Sequence, residues 1–393
     1  MTEPFKITHI ITDLDTGGAE MMLLKLLSCM DRRRFSNRVI SLTGDGLIGQ
    51  QIRQLGIRTD SVGMRPGLPQ FGAINRLRIL LYHQQSDLVQ TWLYHADLIG
   101  SIAAKLAGSS PVVWNLHNFN LDPKVTKAST LFVVKLCAIL SGRLPEKILC
   151  VARSAAEVHI QHGYKPDKIT VIPNGFDVDR FRPDPDARLS VRAELHLEPE
   201  QPLVGMVARF DPLKDILTFL RAADLVRQAI PQVRFILCGN GLDWRNEELC
   251  SWIEQSGLRE AVHLLGLRQD IPRLLASLDV LALSSIGEAF ANVIGEAMAC
   301  GVPCAVTDVG DSAMIVGDTG KVVPPRQPDA LAAAICDLLQ LPEDTRHGLG
   351  EKARRRIIEH FSLPAITAQY EDVYQQVILQ STARKRSQHS PNK

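Results

Sequence analysis

Apolar, β-rich runs alternate with helix-patterned segments almost from end to end of this 393-residue chain, and no other feature limits the fold as strongly. The first half carries ITHIIT (7–12), RVISL (38–42), PVVWNL (111–116) and KITVI (168–172). The rhythm restarts with PLVGMVARF (202–210), VRFILCG (233–239), VHLLG (262–266), DVLALS (279–284) and VPCAVTD (302–308). Between the halves, IPNGFDVDRFRPDP (172–185) concentrates Pro, Gly, Asn and Asp and reads as a linker. The pattern predicts an α/β protein with two Rossmann-like, doubly wound domains facing a central cleft. The expected first domain is residues 1–180 and the second 190–364. A helix over 365–380 has an apolar stripe (Ile366, Tyr370, Val373, Tyr374, Ile378) that needs a partner and is expected to pack back on the first domain. Residues 381–393 hold Arg384, Lys385, Arg386 and Lys393 and read as a basic flexible tail.

Charge narrows the partners. Forty-four Lys and Arg against 43 Asp and Glu leave a net charge of +1, so no global field favours nucleic acid, and any phosphate recognition must be local. With 45% hydrophobic and 22% charged residues, a substantial core is within reach. The eight cysteines are scattered without a C-x-x-C pair, which suits a reducing, cytoplasmic setting. Residues 1–13 carry Glu3, Lys6 and Asp13 and read as a first strand rather than a signal peptide. No apolar run approaches the roughly 18 residues that a membrane span requires.

Several motifs carry chemistry. Gly44-Asp45-Gly46-Leu47-Ile48-Gly49 spells G-x-G-x-x-G, but it follows the second strand, its helix is short and Asp60 comes early, so an ordinary turn is the better reading. Gly17-Gly18-Ala19-Glu20 joins the first strand to a helix whose amides can approach an anion; a plain tight turn is the alternative. Arg209 ends the first strand of the second half and Lys214 follows five residues on, placing two cations where open α/β sheets bind ligands. Such a pair offers a diphosphate a directional fork and a point charge, or is simply solvated. In SSIGEAFANVIGEAMACG (284–301) a strand ends, Glu288 precedes a helix from about Ala291, and Glu296 lies on its second turn. The amides near Phe290, Ala291 and Asn292 would crown an anion site between the two acids. The acids also suit a glycosidase acid and nucleophile, or a helix N-terminal charge and a solvated face. His117 follows PVVWNL at a strand's carboxyl end, as a ligand contact or a structural imidazole. His159 and His162 lack a third ligand nearby, so no bound metal is expected. No G-x-S-x-G or P-loop is present. Lastly, Lys124, Lys127, Lys135, Arg143 and Lys147 surround Leu131, Phe132, Val133, Val134, Leu136, Ile139 and Leu140, which suits either a core helix or peripheral contact with a bilayer.

Taken together, Gly17 to Glu20, His117, Arg209 with Lys214, and EAFANVIGEAMACGVPCAVTDVG from Glu288 resemble glycosyltransferase family 4 over nearly the whole chain. VIPNGFDVDRFRP, GNG at Gly239 to Gly241 and GDTGKVVPP at Gly317 to Pro325 belong to the same resemblance. It implies the GT-B fold and a retaining, metal-independent transfer of a sugar from a nucleotide diphosphate sugar, with no cofactor, to a hydroxyl of a glycan or lipid-linked acceptor in bacterial surface polysaccharide synthesis, such as lipopolysaccharide. By the same resemblance Arg209 and Lys214 hold the diphosphate, Glu288 the transferred sugar and Glu296 the ribose. Gly17 and Gly18 let the loop approach the donor, Phe290 to Asn292 supply amides, and His117 contacts the sugar. It implies a front-face displacement in which the departing phosphate helps to deprotonate the acceptor, and a location at the cytoplasmic face of the inner membrane. A sugar-nucleotide epimerase or hydrolase, or a non-catalytic sugar-nucleotide-binding subunit, is the alternative. Three residues depart from the family pattern: Ala208 precedes the arginine where glycine is common, and Ala289 and Ala291 stand for the glycines of E-G-F-G. Lys321 replaces a commonly apolar residue and is expected to face solvent.

Overall fold

A computed structural model describes residues 3–65, 71–108, 110–118, 121–123 and 126–389. Lys124 of the basic helical region and Lys393 of the tail lie outside the described residues. The chain divides into two compact units, Met1–Gly175 with Leu363–Lys393, and Phe176–Ser362.

The first unit contains β1 (Phe5–Ile11), α1 (Gly18–Cys29), β2 (Phe35–Ser41), α2 (Leu47–Gln54), β3 (Arg58–Ser61), α3 (Phe71–Gln84), β4 (Leu88–Trp92), α4 (Tyr94–Leu106), β5 (Val112–Leu116), α5 (Ala128–Leu140), β6 (Lys147–Cys150), α6 (Arg153–Gln161) and β7 (Ile169–Val171). Its strands are parallel in the order β3-β2-β1-β4-β5-β6-β7. Both faces are covered, which is why the strands read as nearly continuous apolar runs. On one face Ile7 and Ile11 pack with Leu23 and Leu27 of α1, and on the other Ile10 and Ile40 pack with Leu77 and Ile99.

The second unit contains α7 (Pro185–Glu194), β8 (Leu203–Val207), α8 (Ile216–Ala229), β9 (Arg234–Cys238), α9 (Glu247–Gln255), β10 (Val262–Gly266), α10 (Ile271–Ala276), β11 (Val280–Leu283), α11 (Asn292–Ala299), β12 (Cys304–Thr307), α12 (Ser312–Val316), β13 (Lys321–Val323), α13 (Pro328–Leu339) and α14 (Glu343–Phe361). Its parallel order is β10-β9-β8-β11-β12-β13. In each sheet the strand order reverses once, between β1 and β4 in the first and between β8 and β11 in the second. Open α/β sheets bind ligands outside the carboxyl ends of strands at such a point.

The division falls at Gly175 and Phe176, earlier than the expected 180 to 190. Phe176 already belongs to the second unit: its amide donates to Phe361 O at 2.8 Å and its ring stacks on Phe290. The closing helix, α15 (Leu363–His389), starts at 363 and belongs to the first unit. It runs on through residues 381–389, which composition assigns to a flexible tail, and Arg384 reaches Glu146 at 2.9 Å.

Candidate functional site

In the second unit the sequence motifs meet at the β8/β11 reversal. Beyond β8 the chain passes Arg209, makes a single 3₁₀ turn at Pro212–Lys214 and enters α8. Asp211 builds this corner. One carboxylate oxygen accepts from Leu213 N at 2.9 Å and the other from Arg209 Nε at 3.0 Å. The Arg209 side chain remains 69% exposed, so most of its fork faces solvent. Asp215 then caps α8 from a left-handed backbone (φ 46°), taking Thr218 Oγ1 at 2.7 Å.

Beyond β11, Ser284 Oγ donates to the carbonyls of Lys214 and Asp215 at 2.8 and 2.9 Å, and Ile286 N to Leu213 O at 2.8 Å. These bonds fasten the β11 loop to the β8 corner. Across the seam the Lys214 ammonium is ion-paired with the Glu288 carboxylate, whose same oxygen accepts from Ser285 Oγ at 2.8 Å. Both side chains are largely buried. The backbone of Glu288 is held from β12 as well: Asp311 N donates to Ala289 O at 3.0 Å, and Thr307 Oγ1 to Ser285 O at 2.6 Å. Gly310 lies in the left-handed region (φ 56°), and a Cβ there would collide with the carbonyl oxygens of Glu288 and Ala289. Gly239, the first glycine of GNG, has φ 144°, and its missing Cβ admits the Ala208 carbonyl.

Helix α11 follows directly. Ala291 caps it without a side-chain oxygen, Asn292 is exposed, and Glu296 is half-buried on the second turn. The Phe290 ring points away from this surface, stacked on Phe176 at 6.0 Å and tilted against Phe361 at 6.3 Å. Phe290 therefore anchors the loop, and the chemistry it offers a ligand is that of its backbone.

In the first unit, Gly17 caps α1 beyond β1. A Cβ at Gly18 would meet open space, so the chain's own packing does not demand that glycine. Behind the loop, Glu20 is buried, and desolvation, the largest influence, together with Asp13 and Asp15 raises its pKa above the ordinary carboxylate value.

His117 follows β5. Its ring stacks on Trp92 (centroids 5.4 Å apart, planes 26°), and burial lowers its pKa to about 3, which keeps the imidazole neutral. Its Nε2 is buried without a hydrogen-bond partner among the described residues. Trp92 ends β4 and is followed by Leu93 at φ 72°, ψ 153°, a region of backbone space that is essentially glycine's. The Asp97 carboxyl group braces this corner, accepting from Thr91 Oγ1 at 2.6 Å.

Each expected site residue thus lies at or beside the carboxyl ends of its own sheet. Arg209, Lys214, Glu288, Phe290, Ala291, Asn292 and Glu296 cluster in the second unit, and Gly17, Gly18 and His117 lie in the first. Asp211, Ser285, Gly310 and Trp92 were not singled out from the sequence. A tryptophan closing the run LVQTW at a strand's carboxyl end was the available signal for Trp92. The GDGLIG segment binds no special role here: a Cβ on Gly46 would collide with Leu14 O and Asp15, so that glycine serves backbone packing. Lys321 faces outward and pairs with Asp337 at 2.8 Å. Among the described residues, no three His, Cys, Asp or Glu side chains converge on a metal site and no helix is long and apolar enough to cross a membrane.

A sheet pair with ligand loops of this kind defines a doubly wound, ligand-binding α/β protein. Comparison with known proteins gives the family. Residues 16–180 match the model of Glycosyltransferase Family 4, and residues 201–341 that of Glycosyl transferases group 1. The Escherichia coli UDP-Gal:α-D-GlcNAc-diphosphoundecaprenol α-1,3-galactosyltransferase is 28% identical over 301 residues, 75% of this chain and 76% of that protein. The D-inositol 3-phosphate glycosyltransferase of Segniliparus rotundus is 30% identical over 261 residues, 61% of this chain and 58% of that protein. Among solved structures, Anabaena HepE in complex with UDP matches with a TM-score of 0.81 and 26% identity over 95% of this chain and all of that one (100%). HepE with UDP-glucose matches with a TM-score of 0.77. The chain belongs to glycosyltransferase family 4 and is a glycosyltransferase of the GT-B fold.

Proposed function

We propose that the protein is a retaining, metal-independent glycosyltransferase that moves a hexose from a UDP-sugar to a hydroxyl of a lipid-linked glycan in bacterial surface polysaccharide synthesis. The observation that carries this reading is the convergence of Lys214 and Glu288, 74 residues apart in sequence, into one ion pair beside Arg209 at the β8/β11 reversal. In this reading Arg209 and Lys214 supply the fixed positive charge that a departing diphosphate needs, in place of a metal. Glu288 takes the hydroxyls of the transferred sugar, Glu296 those of the ribose, and the backbone from Phe290 to Asn292 the phosphate. Gly17 and Gly18 admit the donor to the first-unit loop, and His117, as a neutral imidazole, contacts the sugar. The bond from the anomeric carbon to phosphate oxygen breaks as the acceptor oxygen attacks from the same face, and its proton passes to that phosphate oxygen.

UDP is favoured as the nucleotide because HepE was crystallised with UDP and UDP-glucose, and because the name of the E. coli relative specifies UDP-Gal. That name also specifies a diphosphoundecaprenol acceptor. Helix α5 agrees with a lipid surface: Phe132 and Ile139 are 63% and 68% exposed, with Lys135 exposed between them. That pairing of apolar and basic residues supports the reading of association with the cytoplasmic face of the inner membrane.

The experiment is a thermal-shift panel of UDP-glucose, UDP-galactose, GDP-mannose and ADP-glucose, followed by transfer to a polyprenyl diphosphate-linked N-acetylglucosamine with and without EDTA. A bound donor at 100 times its Kd stabilises the fold by about 2.7 kcal/mol. The expected result is stabilisation by a UDP-sugar, EDTA-resistant transfer and an α-linked product from an α-linked donor. Arg209→Ala, Lys214→Ala and Glu288→Gln are each expected to lower kcat by about 100-fold or more with the fold intact. Full activity in all three removes the site assignment, and release of free sugar under every acceptor supply favours a hydrolase.

A further inference from the structure

The contacts around His117 lead to the far end of the chain. Trp92 stacks on His117 and lies nearly parallel to Tyr370 of α15, with centroids 6.3 Å apart and planes 10° apart. A second route joins the same helix to β5, the strand that His117 follows: Asn115 Nδ2, two residues before His117, donates to the Tyr370 hydroxyl at 3.1 Å. Trp92 is fixed at its edge too, where Nε1 donates to His9 Nδ1 at 3.3 Å, and His9 Nε2 meets Asn37 Oδ1 at 3.0 Å. Trp92, Asn115, Tyr370 and His9 are all fully buried. The His117 Nε2 has no hydrogen-bond partner among the described residues, and the ring contact with Trp92 lies against the imidazole face.

We propose that Trp92, backed by Tyr370 of the closing helix, is the positioning residue for the His117 imidazole. Most buried imidazoles are oriented by a carboxylate or carbonyl on their second nitrogen, and here a flat aromatic face limits ring rotation. The left-handed Leu93 immediately after Trp92 is consistent with this role, since strained backbone of that kind persists where the surrounding structure over-determines it. The inference rests on the reading of His117 as a sugar contact.

The test is a double-mutant cycle on the full chain with UDP-glucose and UDP-galactose, reading UDP release for kcat and calorimetry for donor Kd. His117→Ala and Trp92→Leu are each expected to lower kcat at least 10-fold while donor Kd stays within about two-fold. In the His117→Ala background, Trp92→Leu is expected to lower kcat by no more than about two-fold further. Trp92→Phe, which keeps a flat ring, is expected to recover most of the wild-type rate. Additive losses, or a Trp92→Phe variant as slow as Trp92→Leu, overturn the positioning role. An unchanged kcat in His117→Ala instead removes the reading of His117 and this inference with it. If Trp92→Leu fails to fold by circular dichroism, Tyr370→Leu enters the same cycle with the same expected non-additivity.

Discussion

One ion pair, three hydrogen bonds and one glycine decide where the Glu288 carboxylate stands. Gly310 matters because its left-handed backbone brings β12 against the carbonyls of Glu288 and Ala289. Gly310→Ala is expected to destabilise the protein by at least about 1–2 kcal/mol from the left-handed backbone alone, and to lower kcat further. Urea unfolding and single-turnover assays check the two effects separately. The candidate polar residues stand out in the sequence because Arg209, Lys214 and Glu288 follow closely on apolar strand runs. Trp92 does not, since a tryptophan in an apolar run reads as core, and here it is both core and neighbour to the imidazole. Gly310 does not either, because its role rests on a backbone angle and on an approach by residues some twenty positions earlier.

Helix α15 shows what the pattern of an element can and cannot say. Its stripe of Ile366, Tyr370 and Tyr374 announces a buried face, and the structure sets that face against β1 and β4. Its length was hidden, because the last turns draw on an ion pair between residues 238 apart in sequence. Its anchor was hidden too. Buried Glu371 accepts from Arg34 at 2.9 Å and from the Asp31 amide at 2.8 Å. Glu371→Ala is expected to cost roughly 2 kcal/mol in urea unfolding, from the loss of these bonds to a charged acceptor. In the proposed function the diphosphate and ribose contacts lie in the second unit, so donor Kd is expected to change by less than about two-fold. The strands were the most legible elements, being apolar on both faces, whereas β3, whose residues are RTDS, carries almost no apolar signal.

For the molecule as a whole, buried ionisable groups set opposing pH dependences. Burial lowers His9 and His159 to about 4 and His117 to about 3 from an ordinary 6.5. Below pH 6.5 the unfolded chain takes up protons that the folded one refuses, so their contribution to stability is lost as the pH falls toward 4. Asp97 runs the other way. Burial raises its pKa well above 3.8, so the folded form holds a proton the unfolded form has released, and stability declines as the pH rises above about 4. Asp97→Asn is expected to remove that decline. Its stability relative to wild type should grow as the pH rises above about 4, by up to about 1.4 kcal/mol per pH unit, in paired urea titrations. A difference that stays flat through this rise contradicts the assignment. The chain's path adds one more consequence. The polypeptide leaves the first unit at Gly175 and returns to it at Leu363, so a ribosome must synthesise every residue of the second unit before it reaches Tyr370. The usual amino-terminal-first order of maturation is then reversed: the carboxyl-proximal Rossmann unit is whole first, while the earlier-made one waits, its sheet uncovered on the α15 side, for its final helix.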